Sequence, residues 1–207
     1  PRGVLVVWPR LGSPAIVVND IAAPLARRDG WIQNVQVYDG YSESPYARTA
    51  DILKDMGLGN ERIGLEKDYL NCLQWEEMVS LLPHADLVDC TEMLDRVRWV
   101  KTPEEVIMLE NGANLLDEVY LEVLPSVRPG DTERDVHSRI LEGCIRRGAG
   151  WVHGILNSSR NSVAYGGEGD MAFESGDIIR NDYVSYLNGY PGPVSYTHLT
   201  LPTNREV

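Results

Sequence analysis

The tetrapeptide Thr102-Pro103-Glu104-Glu105 limits what this chain can fold into more than any other stretch. The threonine hydroxyl can accept from the Glu105 amide while the Glu105 carboxylate reaches back, and proline at the first helical position gives up an N–H that has no helical partner. A helix therefore begins here. Apolar residues follow at Val106, Leu109, Ala113, Leu116, Tyr120 and Val123, in alternating steps of three and four, until Pro125 stops the run. One face of this helix has to be buried. A second start comes at Pro129-Gly130-Asp131-Thr132, with Asp135 three residues after Thr132 and with Val136, Ile140 and Cys144 on one face up to Gly148 and Gly150. Two such helices are expected to pack antiparallel or crossed over a sheet. Its strands would come from Trp151 onward, with Ile178-Ile179 and Val184 to Leu187 β-prone and Asn188-Gly189 suited to a tight hairpin turn.

Residues 1 to 95 have a different character. Short apolar runs at Val4 to Trp8, Ala15 to Val18, Val35 to Tyr38, Arg62 to Glu66 and Leu87 to Val88 alternate with helical stretches near Ala47 to Met56 and Leu73 to Leu82. Strands alternating with helices are the α/β pattern. Gly57, Gly59 and Asn60 end the first of these helices. The change of character places a domain boundary between Asp95 and Val100.

Composition narrows the function. In 207 residues, 31 acidic against 19 basic side chains give a net charge of −12. Such a chain lacks the basic surface that phosphate backbones and anionic membranes require, so neither nucleic acid nor membrane is expected as a partner. The run from Val4 to Trp8 is too short for a signal-peptide core or a membrane span. Cys72, Cys90 and Cys144 show no paired spacing and read as reduced core thiols of a soluble, cytoplasmic protein. Both ends read as cut: the chain enters almost at once on a strand that wants neighbours, and the segment from Val194 has neither strand alternation nor a helical stripe. That segment resembles the translated read-through of a sequencing adapter, and residues 193–207 are set aside as a non-native tail, His198 included.

Few residues announce chemistry on their own. There is no P-loop, dinucleotide fingerprint, paired-cysteine zinc site or His-Glu-x-x-His helix. Gly166-Gly167-Glu168-Gly169 has an acid inside it and reads as a plain loop. Asp177 and Asp182, five apart, point to opposite sides of an extended chain, so at most one serves a site, and Asp182 is expected to be the buried one. His84 and His137 read as solvated, and Arg96 and Arg98 as ion-pair partners between domains.

Taken in order, Arg98-Trp99-Val100-Lys101-Thr102-Pro103-Glu104-Glu105, Arg128-Pro129-Gly130-Asp131-Thr132-Glu133, Ser175-Gly176-Asp177-Ile178-Ile179-Arg180-Asn181-Asp182 and Asn188-Gly189-Tyr190 resemble the linked motifs of the creatinase, prolidase and aminopeptidase P family. The resemblance implies a partial creatinase-like N-terminal α/β domain, residues 1–97, followed by the first part of a pita-bread α+β domain, residues 98–192. It implies an Xaa-Pro aminopeptidase-like metallohydrolase acting on a peptide or small amide, a homodimer when intact, with a pair of divalent metals such as Mn, Co or Zn. Asp182 matches the first metal aspartate. The second is expected eleven residues later, where this chain has Pro193, and the other ligands would lie beyond, so the chain by itself is expected to be inactive and metal-free. Tyr165 stands where the family has a substrate-contacting histidine. A phenol titrates near 10 and an imidazole near 6.5, so Tyr165 can donate a hydrogen bond but holds no reversible proton near neutrality. Packing on the sheet is the other reading of Tyr165. His153 could line the same cleft as a catalytic group or serve as a structural residue. The alternatives to a peptidase are a creatinase-like C–N hydrolase of a small non-peptide compound and a non-catalytic binding module.

Overall fold

A computed structural model describes residues 3–163 and 167–200, with only the backbone described for 195–200. The chain divides into two compact units, Pro1–Val100 and Lys101–Val207. No helix among the described residues is long and apolar enough to cross a membrane.

In the first unit, β1 (Leu5–Val7), β2 (Ala15–Asn19) and β3 (Asn34–Tyr38) form one sheet in that order, β1 antiparallel to β2 and β2 parallel to β3. Helix α1 (Ala23–Asp29) separates β2 from β3, and α2 (Pro45–Asp55) follows them. A second parallel pair, β4 (Arg62–Leu65) and β5 (Asp86–Asp89), is bridged by α3 (Cys72–Leu81), and α4 (Thr91–Trp99) closes the unit. Caps explain two of the starts. Ser44 Oγ accepts from the Tyr46 and Ala47 amides ahead of α2, and Asn71 with Gln74 forms a reciprocal capping box ahead of α3. The core gathers Val7, Ala15, Val17, Tyr38, Ala50, Leu53 and Met78.

Two helices in this unit have no counterpart in the sequence reading. Helix α1 buries only Ala23 and α4 buries nothing, so neither carries the apolar stripe that makes a helix legible. Two expectations are corrected. Arg96 pairs with Glu92 one turn back, and Arg98 Nη2 reaches Glu66 at 3.0 Å, so both arginines are used inside the unit rather than between domains. Of the three free cysteines only Cys144 is buried; Cys72, in the exposed first turn of α3, is not a core thiol.

The second unit is two helices on one face of an antiparallel sheet. Helix α5 (Pro103–Val123) starts at the capping box as anticipated, with Thr102 Oγ1 accepting from the Glu105 amide at 3.2 Å and Glu105 Oε2 accepting from the Thr102 amide at 2.8 Å. Helix α6 (Glu133–Arg146) starts at Thr132 and Asp135 in the same way. Strands β6 (Trp151–Ser158), β7 (Ile178–Leu187) and β8 (Tyr190–Thr200) pair in that order. Asn188 and Gly189 both take positive φ, 52° and 84°, as the two-residue turn requires.

Inward residues of the sheet, Val152, Leu156, Ile179 and Tyr183, meet Leu116, Val119, Val123, Val136, Ile140 and Cys144 from the helices. The burial on α5 runs from Gly112 to Val123, whereas Val106 is exposed, so the first two turns lie outside the core that the periodic stripe suggested. Helix and sheet touch backbone to backbone at Gly112 and Gly192: a Cβ on Gly192 would sit 2.2 Å from the Gly112 carbonyl carbon. Ser185 Oγ donates to the Gly112 carbonyl at 2.9 Å beside this contact.

Strand β8 is a further difference. No strand was expected from Val194 on, yet the backbone stays paired with β7 as far as Thr200 opposite Ile178. Ladder hydrogen bonds depend on backbone, not on side-chain pattern, and the second edge of β7 accepts a partner that shows no alternation. Val194 also packs against the core, and its carbonyl accepts from the Tyr120 hydroxyl at 3.1 Å.

Candidate functional site

Parity along the strands decides which side chains share a face. On β7, Ile179, Asn181, Tyr183 and Ser185 are buried under the helices, which leaves Arg180, Asp182, Val184 and Tyr186 on the opposite, open face. Cross-strand pairing extends that face. Trp151 lies opposite Tyr186, His153 opposite Val184 and Ile155 opposite Asp182, while on β8 Pro193 lies opposite Val184 and Ser195 opposite Asp182. The open face therefore brings together Asp182, His153 and position 193. His153 is exposed and its ring is tilted against Trp151, with centroids 4.5 Å apart, and it lies 6.2 Å from the Tyr186 ring. Tyr165 falls outside the described residues.

The two aspartates of the Gly176-Asp177 segment are reversed with respect to expectation. Asp177 is 4% exposed, whereas Asp182 is half-buried on the open face. Asp177 owes its enclosure to Arg160, whose Nε lies 2.8 Å from one carboxylate oxygen, and to the Glu174 amide at 2.8 Å from the other. Burial alone would raise its pKa. The guanidinium and the amide outweigh that effect and hold the carboxyl below the usual range. This aspartate is a fastening of the β6–β7 connection and is not part of the open face.

Three side chains from the first turns of α6 hold the same connection. Glu133 is fully buried; its Oε1 accepts from the Ser158 amide at 2.8 Å and from Asn161 Nδ2 at 3.1 Å, and its Oε2 accepts from the Gly169 amide at 3.0 Å. Arg134 Nε pairs with Asp170 at 3.0 Å. His137 is not solvated: its Nδ1 is 2.6 Å from the Tyr183 hydroxyl and its Nε2 is 3.0 Å from a Glu168 oxygen. On the other side, Asn157 Nδ2 donates to the Gly167 carbonyl at 2.8 Å. So the glycine-rich stretch that reads as a plain loop is tied down residue by residue from Gly167 to Asp170. Sequence reasoning quoted Glu133 within a motif but gave it no role. Its signal was an acid in the first helical turn, a position that ordinarily faces solvent and the helix dipole.

Chemically, the open face offers one carboxylate, one imidazole and, at 193, a proline with no donor atom to give. Among the described residues no three of His, Cys, Asp and Glu converge on a point where a metal could sit. A divalent pair needs several oxygen or nitrogen ligands together, so the described residues do not fit one by themselves.

Comparison with known proteins adds to this geometry. The family model of the Creatinase/Prolidase N-terminal domain matches residues 1–100. The uncharacterized peptidase YqhT of Bacillus subtilis (strain 168) is 26% identical over 152 residues, covering 72% of this chain and 42% of that protein. The creatinase of Bacillus sp. (strain B-0618) is 25% identical over 130 residues, covering 63% of this chain and 32% of that protein. Among solved structures, the Xaa-Pro dipeptidase from Bacillus anthracis superimposes with a TM-score of 0.78 at 18% identity, covering 98% of this chain and 56% of that one. The chain thus spans a third to a little over half of the proteins it resembles.

Proposed function

We propose that this chain, whose residues 1–100 match the Creatinase/Prolidase N-terminal domain, is part of a longer hydrolase of the creatinase, prolidase and aminopeptidase P family that cleaves Xaa-Pro amide bonds. The observation that carries this reading is the hairpin register. Asp182 on β7 and position 193 on β8 lie one pair apart on the same open face, away from the helices. A carboxylate at 182 would share this surface with whatever group stands eleven residues on; Pro193 supplies none in this chain, so Asp182 alone carries the reading here. In the longer protein Asp182 would serve as one ligand of a divalent pair, Mn, Co or Zn, with the remaining ligands supplied from outside the described residues. Such a pair, when bound, lowers the pKa of water and polarises a carbonyl. Tyr165 would act beside it as a fixed hydrogen-bond donor to a developing oxyanion, and His153 would border the substrate. The three free cysteines accord with a reducing, cytoplasmic setting, and a homodimer belongs to the same proposal.

A second reading has its own support. Tyr165 replaces an imidazole that peptide cleavage would use, and the chain is also similar to a creatinase, so hydrolysis of a non-peptide C–N bond is the competing activity. The test is to express the intact gene product and assay proline release from Xaa-Pro dipeptides beside hydrolysis of creatine. Proline release that falls at least about a hundredfold in Asp182→Asn supports the peptidase. Hydrolysis of creatine alone supports the second reading, and full activity in Asp182→Asn removes the site from this face.

A further inference from the structure

The imidazole of His137 stands between two groups that belong to different parts of the second unit. On one side is the Tyr183 hydroxyl, on the buried face of β7 and next in sequence to Asp182; on the other is Glu168, in the connection between β6 and β7. Tyr183 is fully buried, and its ring lies over Gly154, where a Cβ would come within 2.5 Å of it. The Tyr120 ring meets it edge-on with centroids 6.2 Å apart. The second oxygen of Glu168 is buried without a hydrogen-bond partner among the described residues, and the first is tied to the imidazole.

We propose that His137 is a positioning residue that fastens the β6–β7 connection, through Glu168, to the buried side of the strand that carries Asp182. The neutral imidazole with its proton on Nε2 satisfies both ring nitrogens and the phenol: Nε2–H donates to Glu168, and Nδ1 accepts from the Tyr183 hydroxyl. Protonation at Nδ1 would force the phenol to become the acceptor and leave its own proton without a partner inside the core. The groups facing the imidazole are Glu168 from the connection, Tyr183 from β7 with Tyr120 of α5 behind it, and, on its own helix, Arg134, while Cys144 of that helix acts on Tyr183. Desolvation is the largest influence and keeps the imidazole below its ordinary pKa, with Glu168 opposing it and Arg134 adding to it. Tyr165 lies three residues before Glu168, so what this fastening serves rests on the reading of the open face given above; the fastening itself does not.

The experiment uses this chain and two readouts. In the first, NMR follows the titration of the His137 ring in wild type, Glu168→Gln and Tyr183→Phe. Loss of the carboxylate should lower the midpoint, and loss of the phenol donor should raise it; a residue that merely fills space would show neither shift. In the second, amide hydrogen exchange at Gly167 to Asp170 should speed about tenfold in His137→Ala, while the amides of β7 keep their protection. Should His137→Ala fail to fold, Glu168→Gln, which leaves the core untouched, is read in its place. Unmoved midpoints in both variants, or exchange at 167–170 unchanged when the tie is cut, overturns the proposal. In the intact protein, faster exchange with unchanged turnover of an Xaa-Pro dipeptide would uphold the fastening and refute the assignment of Tyr165.

Discussion

Glu133 and Asp177 are buried carboxylates with opposite means of support. Glu133 is held by N–H donors alone, from Ser158, Asn161 and Gly169, and its position in the first turn of α6 adds the favourable end of the helix dipole. Asp177 is held by the Arg160 guanidinium together with one amide. A group whose folded pKa is depressed contributes stability that is complete above its unfolded value and is lost as pH falls through the folded value. For Asp177 that window opens below about pH 4. The Asp177→Asn variant should therefore unfold at lower urea than wild type at pH 7, and the gap between them should narrow as pH drops below 4. A gap independent of pH would show that the carboxylate carries no net charge effect. None of this could be read from Asp177 itself, because its partner lies seventeen residues upstream, in a connection with no periodicity. His137 escaped for the same reason: helical spacing places it on a face, but only the return of Glu168 and Tyr183 makes that face an interior.

At the level of elements, local signals and tertiary packing divide the work. The starts of α5 and α6 are written in three or four adjacent residues each, and the expected capping bonds form atom for atom. The hairpin turn is equally local, since Asn188 and Gly189 accept the positive φ that other residues resist. Helices α1 and α4 have no such text. Helix α1 links β2 to β3 and α4 follows β5, and each buries next to nothing. The stripe on α5 was legible in phase but not in extent, because its length is set by where Gly192 lets β8 approach. That contact makes a prediction about the element as a whole. Gly192→Ala would put a methyl carbon 2.2 Å from the Gly112 carbonyl carbon and should cost about 2–3 kcal/mol by forcing α5 off the sheet. Gly112→Ala meets the Gly192 Cα at 3.1 Å and gains helix propensity, so it should cost clearly less. Urea denaturation of the two variants in parallel checks the order; equal losses would mean that helix and strand separate without resistance.

Over the whole molecule, two cores stand for one chain. The first draws on Tyr38, Met78 and their neighbours before Val100, and the second on Leu116, Tyr183 and theirs after Lys101. Each unit has its own reason to be folded, so cooperativity need not extend across the boundary. Trp8, Trp31, Trp75 and Trp99 lie in the first unit and Trp151 alone in the second, which makes tryptophan fluorescence chiefly a report on the first. Its urea midpoint is expected to differ from that of the far-ultraviolet circular dichroism, to which both units contribute. Coincident transitions would show a single cooperative block.

The two-residue turn at Asn188-Gly189 imposes a rule on any gene that encodes this hairpin. With Leu187 facing Tyr190, Asp182 lies opposite Ser195 and Val184 opposite Pro193, so positions 182 and 193 share a face only in this register. Inserting one codon there, if the two-residue turn is kept and the register slips by one, would leave both strands paired yet turn every side chain of β8 to the other side of the sheet. Two codons would restore it. Length variation in this loop is thus expected to be tolerated where the added residues form a turn that keeps Leu187 opposite Tyr190. A three-nucleotide insertion that shifts this pairing would part the residues of the proposed site although the reading frame is intact.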